Sequence, residues 1–196
     1  MFMPSLDDIR RVMARKGYAF FERGDYNVNI IGIRDSLTVT NKFDDTLILA
    51  YKVSGEWHVD YTPCTTDPGK GPMENPGVKG RAVLKPGQYR GAFSLGLHKG
   101  RQKALVQTGP VTVYRDKNGD RTLDYDNPDT GLFGINIHWS STTHDSVQVD
   151  NWSEGCQVGT GAEDYNVFIN LLTESASRYG KTFTYTLLEA CDFEEY

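Results

Sequence analysis

The stretch Gly134-Ile135-Asn136-Ile137-His138-Trp139-Ser140 alternates apolar and polar side chains at the period of a half-buried β-strand. Ile135 and Ile137 fall on one face, and Asn136, His138 and Ser140 on the other, so the alternation stands His138 away from the apolar core, where a cleft can form. The same grammar extends upstream. β-Branched and aromatic runs broken by turn residues cover Val28 to Arg34, Thr46 to Val53, Glu56 to Tyr61, Arg81 to Leu84, Gln88 to Leu97, Lys103 to Gln107 and Val111 to Arg115. Many short strands at such spacing predict a mainly β architecture, a sandwich or barrel with flanking helices in an α+β arrangement.

Two helices bracket the strands. At the start, Ser5 is a capping residue, Asp7 and Asp8 occupy the first turn, Ile9, Val12 and Met13 share a face, and Gly17 is a stop. Near the end, Tyr165, Phe168, Ile169 and Leu172 recur at helical spacing between Ala162 and Tyr179, and Gly180 closes the run. These aromatics read as core. Thr182 to Leu188 is a further strand, and the acidic tail from Asp192 reads as frayed. The organisation is a helical segment over residues 1–24 followed by one domain over 25–196, in a chain long enough to build a core.

Composition narrows the function. The net charge is −5 and no run of lysine or arginine exists, so the electrostatic footprint of a nucleic-acid binder is missing. The Met-Phe-Met-Pro start and the acidic helix after it lack the basic and apolar regions of a signal peptide, and no window suits a membrane span. Three cysteines, Cys64, Cys156 and Cys191, cannot all pair within the chain. A Cys64–Cys191 disulfide and a fully reduced state are both compatible with the sequence.

Downstream of His138, fourteen residues intervene before Ser153-Glu154-Gly155-Cys156. A free thiol is only a few per cent thiolate at neutral pH, so a nucleophilic cysteine needs a base or cation at its side, and histidine supplies one. Gly155 lets the backbone turn sharply before Cys156, aiming successive N–H groups at one spot as an oxyanion hole requires. The bland alternative is that Cys156 is a small core hydrophobe.

This spacing resembles the signature of the L,D-transpeptidase catalytic domain, the YkuD-like family, in which a histidine is followed after a similar gap by Ser/Thr-His-Gly-Cys. Thr65-Thr66-Asp67-Pro68-Gly69 lies where that family usually has a Thr-Pro-x-Gly turn, and a helix and then a strand follow the cysteine. Asn29 to Arg34, Tyr114-Arg115-Asp116, Gly134 to His138 and Asn151 to Val158 are similar to a divergent branch often carried by bacteriophages. The resemblance covers about Thr65 to Leu188. It implies Cys156 as nucleophile, His138 as general base, Gly155 and Cys156 as oxyanion donors, Ser153 as turn-shaping residue, and a peptidoglycan stem peptide as substrate. The substrate then lies in the bacterial envelope, and virion proteins are the partners to expect if the carrier is a phage particle. At the position of the family's second histidine stands Glu154, whose carboxylate would raise a neighbouring thiol's pKa.

Other residues are candidates for substrate binding. Arg115, ending a strand, is suited to grip a carboxylate bidentately; His98 closes another strand; Trp139, Ser140, Trp152 and Glu154 flank the proposed pair. The plainer readings are exposed strand ends and core aromatics. Neither a cofactor nor a metal is called for: the four histidines lack the i, i+4 spacing of a helical zinc motif and no Cys-x-x-Cys exists, although distant residues can still converge. Asp116 to Asp124 places oxygen donors at alternate positions like a calcium loop, yet Arg121 occupies the turn-glycine position and Asn118-Gly119 is equally a hairpin turn. Pro63 to Gly80, holding four of the eight prolines, reads as a loop, either a lid over the cleft or a plain connection.

Overall fold

The structure is a computed structural model that describes residues 1–35, 42–69, 82–115, 124–149 and 152–194, the side chains of Asp124 and Asn127 excepted. The calcium-like segment, apart from the backbone of Asp124, and most of the proline-rich loop, residues 70–81, lie outside the described residues.

Eight strands close into a barrel. In chain order the strands are β1 (Asn29–Arg34), β2 (Asp45–Val53), β3 (Glu56–Thr65), β4 (Val83–Leu84), β5 (Gly87–His98), β6 (Gln102–Gln107), β7 (Val111–Arg115), β8 (Asp124–Gly131), β9 (Ile137–Trp139), β10 (Gln157–Gly159) and β11 (Thr182–Glu189). The barrel order is β1-β11-β5-β6-β9-β10-β3-β2, and β4-β7-β8 form a separate three-stranded sheet. The expected β-rich α+β architecture is present, and of the two alternatives it is the barrel. Most barrel neighbours are antiparallel, but β1 pairs with β11 and β9 with β10 in parallel.

Helix α1 (Leu6–Arg15) starts at Ser5, whose hydroxyl accepts from the Asp8 amide in a reciprocal capping box. Its Ile9, Val12 and Met13 pack with Ile31, Ile33, Ile48 and Leu188 in one buried cluster. Ile30 of β1 belongs to the other, larger core with Phe93, Leu105, Ile137, Trp139, Tyr185, Phe168 and Leu172. A strand covered on both faces has no polar side to present, which explains the unbroken apolar run Ile30-Ile31-Gly32-Ile33. The N-terminal helix is therefore part of the barrel's packing. Helix α2 (Ala162–Tyr179) spans the expected residues, with Phe168, Ile169 and Leu172 buried as anticipated.

Three local expectations are corrected. The tail is not frayed at Asp192: a 3-10 turn (Ala190–Phe193) is held by the Lys16–Asp192 ion pair at 2.6 Å, and Phe193 packs edge-on against Phe2. Strand β8 was hidden by Pro128, which no central strand tolerates; β8 lies at the edge of its sheet, with a register shift opposite Val113 and Arg115. The strand around His138 is shorter than its alternation suggested, because the Phe133 and Ile135 amides donate to the Gln107 side chain instead of a ladder.

Candidate active site

Parallel pairing of β9 and β10 builds the site. Val158 lies opposite His138 and Gln157 opposite Ile137, so Cys156 arrives beside Asn136, whose backbone N–H points at its Sγ from 3.5 Å. Parallel neighbours need a crossover of about a dozen or more residues. The gap between histidine and cysteine is that crossover, which is why the spacing carries structural meaning.

The turn before Cys156 admits only glycine. Gly155 has φ +121°, and a Cβ there would lie 2.0 Å from the Ala82 carbonyl oxygen. Ser153, fully buried, donates to the Cys156 carbonyl at 2.9 Å and accepts from the Gly155 amide at 3.2 Å. Its turn-shaping role is thus visible. The Gly155 amide, expected as an oxyanion donor, is instead engaged by Ser153, whereas no acceptor among the described residues takes the Cys156 N–H.

His138 is only 2% exposed, more deeply buried than the strand alternation implied. Its Nδ1 lies 3.1 Å from the Trp139 carbonyl, an acceptor, so Nδ1 carries the proton and Nε2 presents a lone pair. That Nε2 is buried without a hydrogen-bond partner among the described residues. The Trp139 carbonyl also accepts from Gln102 Nε2 at 2.9 Å, so Gln102 steadies the group that sets the tautomer.

His98 completes the cluster from the far end of β5. Its ring stacks on His138 with centroids 3.8 Å apart and planes 12° from parallel. One nitrogen of each ring and Cys156 Sγ all lie within 4.8 Å of one another. Asn136 Nδ2 donates to His98 Nδ1 at 3.0 Å, and Asn136 Oδ1 accepts from the Gln107 amide at 2.9 Å.

Burial governs the electrostatics. It pushes His138 down to about 3, helped by the neighbouring His98 and Lys99 and opposed by the Trp139 carbonyl. Burial likewise raises the Cys156 thiol; the Asn136 amide and Lys99 pull it down, and Glu154 pushes it up. The resting pair is a neutral thiol beside a neutral imidazole.

Two adjoining cavities open here, sharing His98, Lys99 and Trp152. The one beside His138 has about 390 Å³, and the one beside Cys156, bordered also by Phe133 and Glu154, about 150 Å³. Trp152, 47% exposed, walls both, and Glu154 sits exposed at the rim. Trp139 also lines the larger cavity, while its ring packs into the core against Phe168 and Tyr165. Ser140 borders a different cavity with Ser141, Lys103 and Tyr165. Arg115 borders neither of the two; it pairs with Asp129 at 3.5 Å and stacks over Phe133.

Lys99, Gln102 and Gln107 were missed. Lys99 has φ +49° in the β5–β6 hairpin, a placement hinted at by its neighbour Gly100. Nothing in the local sequence singles out the two glutamines. Cys64, Cys156 and Cys191 are all free thiols, which leaves the disulfide alternative unrealised. Among the described residues no helix is long and apolar enough to cross a membrane. No protein-family model, no curated protein and no solved structure matches the chain.

Proposed function

We propose that the protein is a cysteine-dependent acyl-transfer enzyme of the L,D-transpeptidase type, acting on peptidoglycan stem peptides. The observation that carries this reading is the unpartnered lone pair of His138 Nε2, buried in a cluster with the Cys156 thiol and oriented by the Trp139 carbonyl. A buried polar atom left without a partner costs stability and calls for a functional account.

In this reading the neutral imidazole takes the Sγ proton as the thiol attacks the carbonyl before a D-amino acid. The Cys156 amide donates to the oxyanion. Collapse breaks the C–N bond, the leaving amine takes the proton from His138, and a thioester remains. An amine acceptor then gives a cross-link, and water gives a shortened peptide. Because the pair starts uncharged, the nucleophile forms only as substrate arrives. Lys99 borders both cavities, and in this reading it is the cation that meets a stem-peptide carboxylate.

A second reading, a non-catalytic structural or wall-binding virion component, draws support from the raised thiol and from Glu154 at its rim. Incubation with purified stem peptides followed by mass spectrometry separates the two. The enzyme yields a thioester on Cys156 and shortened or cross-linked products that Cys156→Ala lacks; absence of both across several stem types favours the structural role.

A further inference from the structure

The cluster His98, His138 and Cys156 has a second chemical capacity, independent of acyl transfer. Two imidazoles and a thiol, drawn from the end of β5, from β9 and from the turn leading into β10, are donors of the kind that select borderline-soft transition ions over calcium or magnesium. We infer that these three side chains form a binding site for a zinc-class divalent ion, whose occupancy blocks the thiol.

Several features fit. Tetrahedral zinc requires ligand atoms roughly 3.3–3.7 Å apart, given bonds of about 2.0–2.3 Å. The three donor atoms here lie within 4.8 Å, a closure that side-chain rotation can supply. His138 is already arranged as a ligand: its Nδ1–H is anchored on a backbone carbonyl and its Nε2 lone pair is unclaimed in a buried setting. The cavities beside the cluster leave a fourth position for water or a substrate atom.

His98 is the adjustable member. Its ring is stacked on His138, so its lone pair must swing to converge, and its Nδ1 hydrogen bond to Asn136 must yield or its proton must move. Partial exposure next to the hairpin turn gives it room. Lys99 opposes a cation and Glu154 at the rim favours one. Binding is balanced by proton release: the ion forms a bond to Sγ, and the thiol proton leaves to solvent.

Cobalt(II) reports on the site. The full chain, reduced and metal-free, is titrated with Co²⁺ while thiolate-to-metal charge transfer and ligand-field absorption are recorded; Zn²⁺ is then added. The expected result is one equivalent bound, bands erased by Zn²⁺, and protection of Cys156 from alkylation that a chelator reverses. Cys156→Ser loses the charge-transfer band, His98→Gln weakens binding about tenfold or more, and Cys64→Ser with Cys191→Ser changes nothing. His98→Gln alters a partly exposed ring, so it remains informative if substitutions at buried His138 fail to fold. Absence of the bands in folded protein, their persistence in Cys156→Ser, or unaltered affinity in His98→Gln would overturn the inference. Stem-peptide adducts formed in chelator without cobalt bands remove the metal site and leave acyl transfer standing; bands without adducts do the reverse.

Discussion

Two buried polar clusters flank the same turn, and they are built on opposite principles. Around Arg34, which is 1% exposed, nearly every group has a partner: Nε donates to Thr66 Oγ1, the terminal nitrogens to the Leu84 and Thr66 carbonyls, and Asp45 accepts from Asp35 and from Thr66 twice. Around Cys156 the thiol and the His138 imidazole are uncharged, and His138 Nε2 keeps a buried, unclaimed lone pair. The first cluster buries the Arg34 charge and satisfies it with hydrogen bonds, as a structural brace must. The second keeps an unsatisfied base beside a thiol, as reactive sites do. They are joined: the Gly69 amide donates to the Ser153 carbonyl at 2.9 Å, and Gln157 Nε2 donates to the Thr66 carbonyl at 3.5 Å.

This contrast can be broken most sharply at Cys156. Cys156→Ala should abolish thioester formation while leaving the melting temperature close to that of the parent, and a large loss of stability would show that the residue is a core hydrophobe after all. His138→Gln should lower the acylation rate by about 10²–10⁴-fold, the usual worth of a general base, read by quenched-flow mass spectrometry on the same peptides. Arg34→Ala should behave in the opposite way, costing about 3–5 kcal/mol in denaturant unfolding because it strands Asp45 and Asp67.

A subtler test uses pH. Asp67 lies 3.0 Å from Arg34 Nε, yet its carboxyl is pushed up to about 7, because burial outweighs the cation. The reason is directional: the Arg34 N–H groups donate to Thr66 and Leu84, and Asp67 Oδ1 accepts no hydrogen bond among the described residues. With the folded pKa above the unfolded value near 3.8, this group's contribution to stability is complete below about 3.8 and is lost as pH rises through about 7. Asp67→Asn should therefore flatten the fall in stability between those limits, a change on the order of a few kcal/mol in unfolding free energies from urea titrations across pH. The smallest effect belongs to Arg115→Ala, expected to leave acylation within about twofold, since surface contacts away from a site change little. A large drop would place Arg115 in substrate recognition and redraw the boundary of the cleft.

Much of this was open to reading along the chain because it is local. The cap at Ser5, the helix from Ala162 to Tyr179 and the strand from Val111 to Arg115 follow from periodicity and turn residues. The candidacy of His138 and Cys156 was legible from their residue types and spacing, but their proximity was not, because it follows from the parallel pairing of β9 with β10. Other features were not. Glu56 to Tyr61 gave no sign of continuing to Thr65, because Pro63 discourages a strand there, yet β3 runs through it between β2 and β10. Gln102 and Gln107 look like ordinary surface amides, and only the imperfect β6–β9 ladder, paired at Leu105 and Ile137, gives them backbone groups to satisfy.

Sequence alone determined the β-rich class, the flanking helices and the residue types able to do thiol chemistry, because side-chain alternation, capping and glycine turns act over a few neighbouring residues. Tertiary structure decided that the strands close into a barrel, that His98 crosses from β5 to stack on His138, that Lys99 overlooks the thiol, and that His138 and Cys156 rest uncharged. Those outcomes depend on desolvation and on contacts between distant segments, and neither exists until the chain has folded.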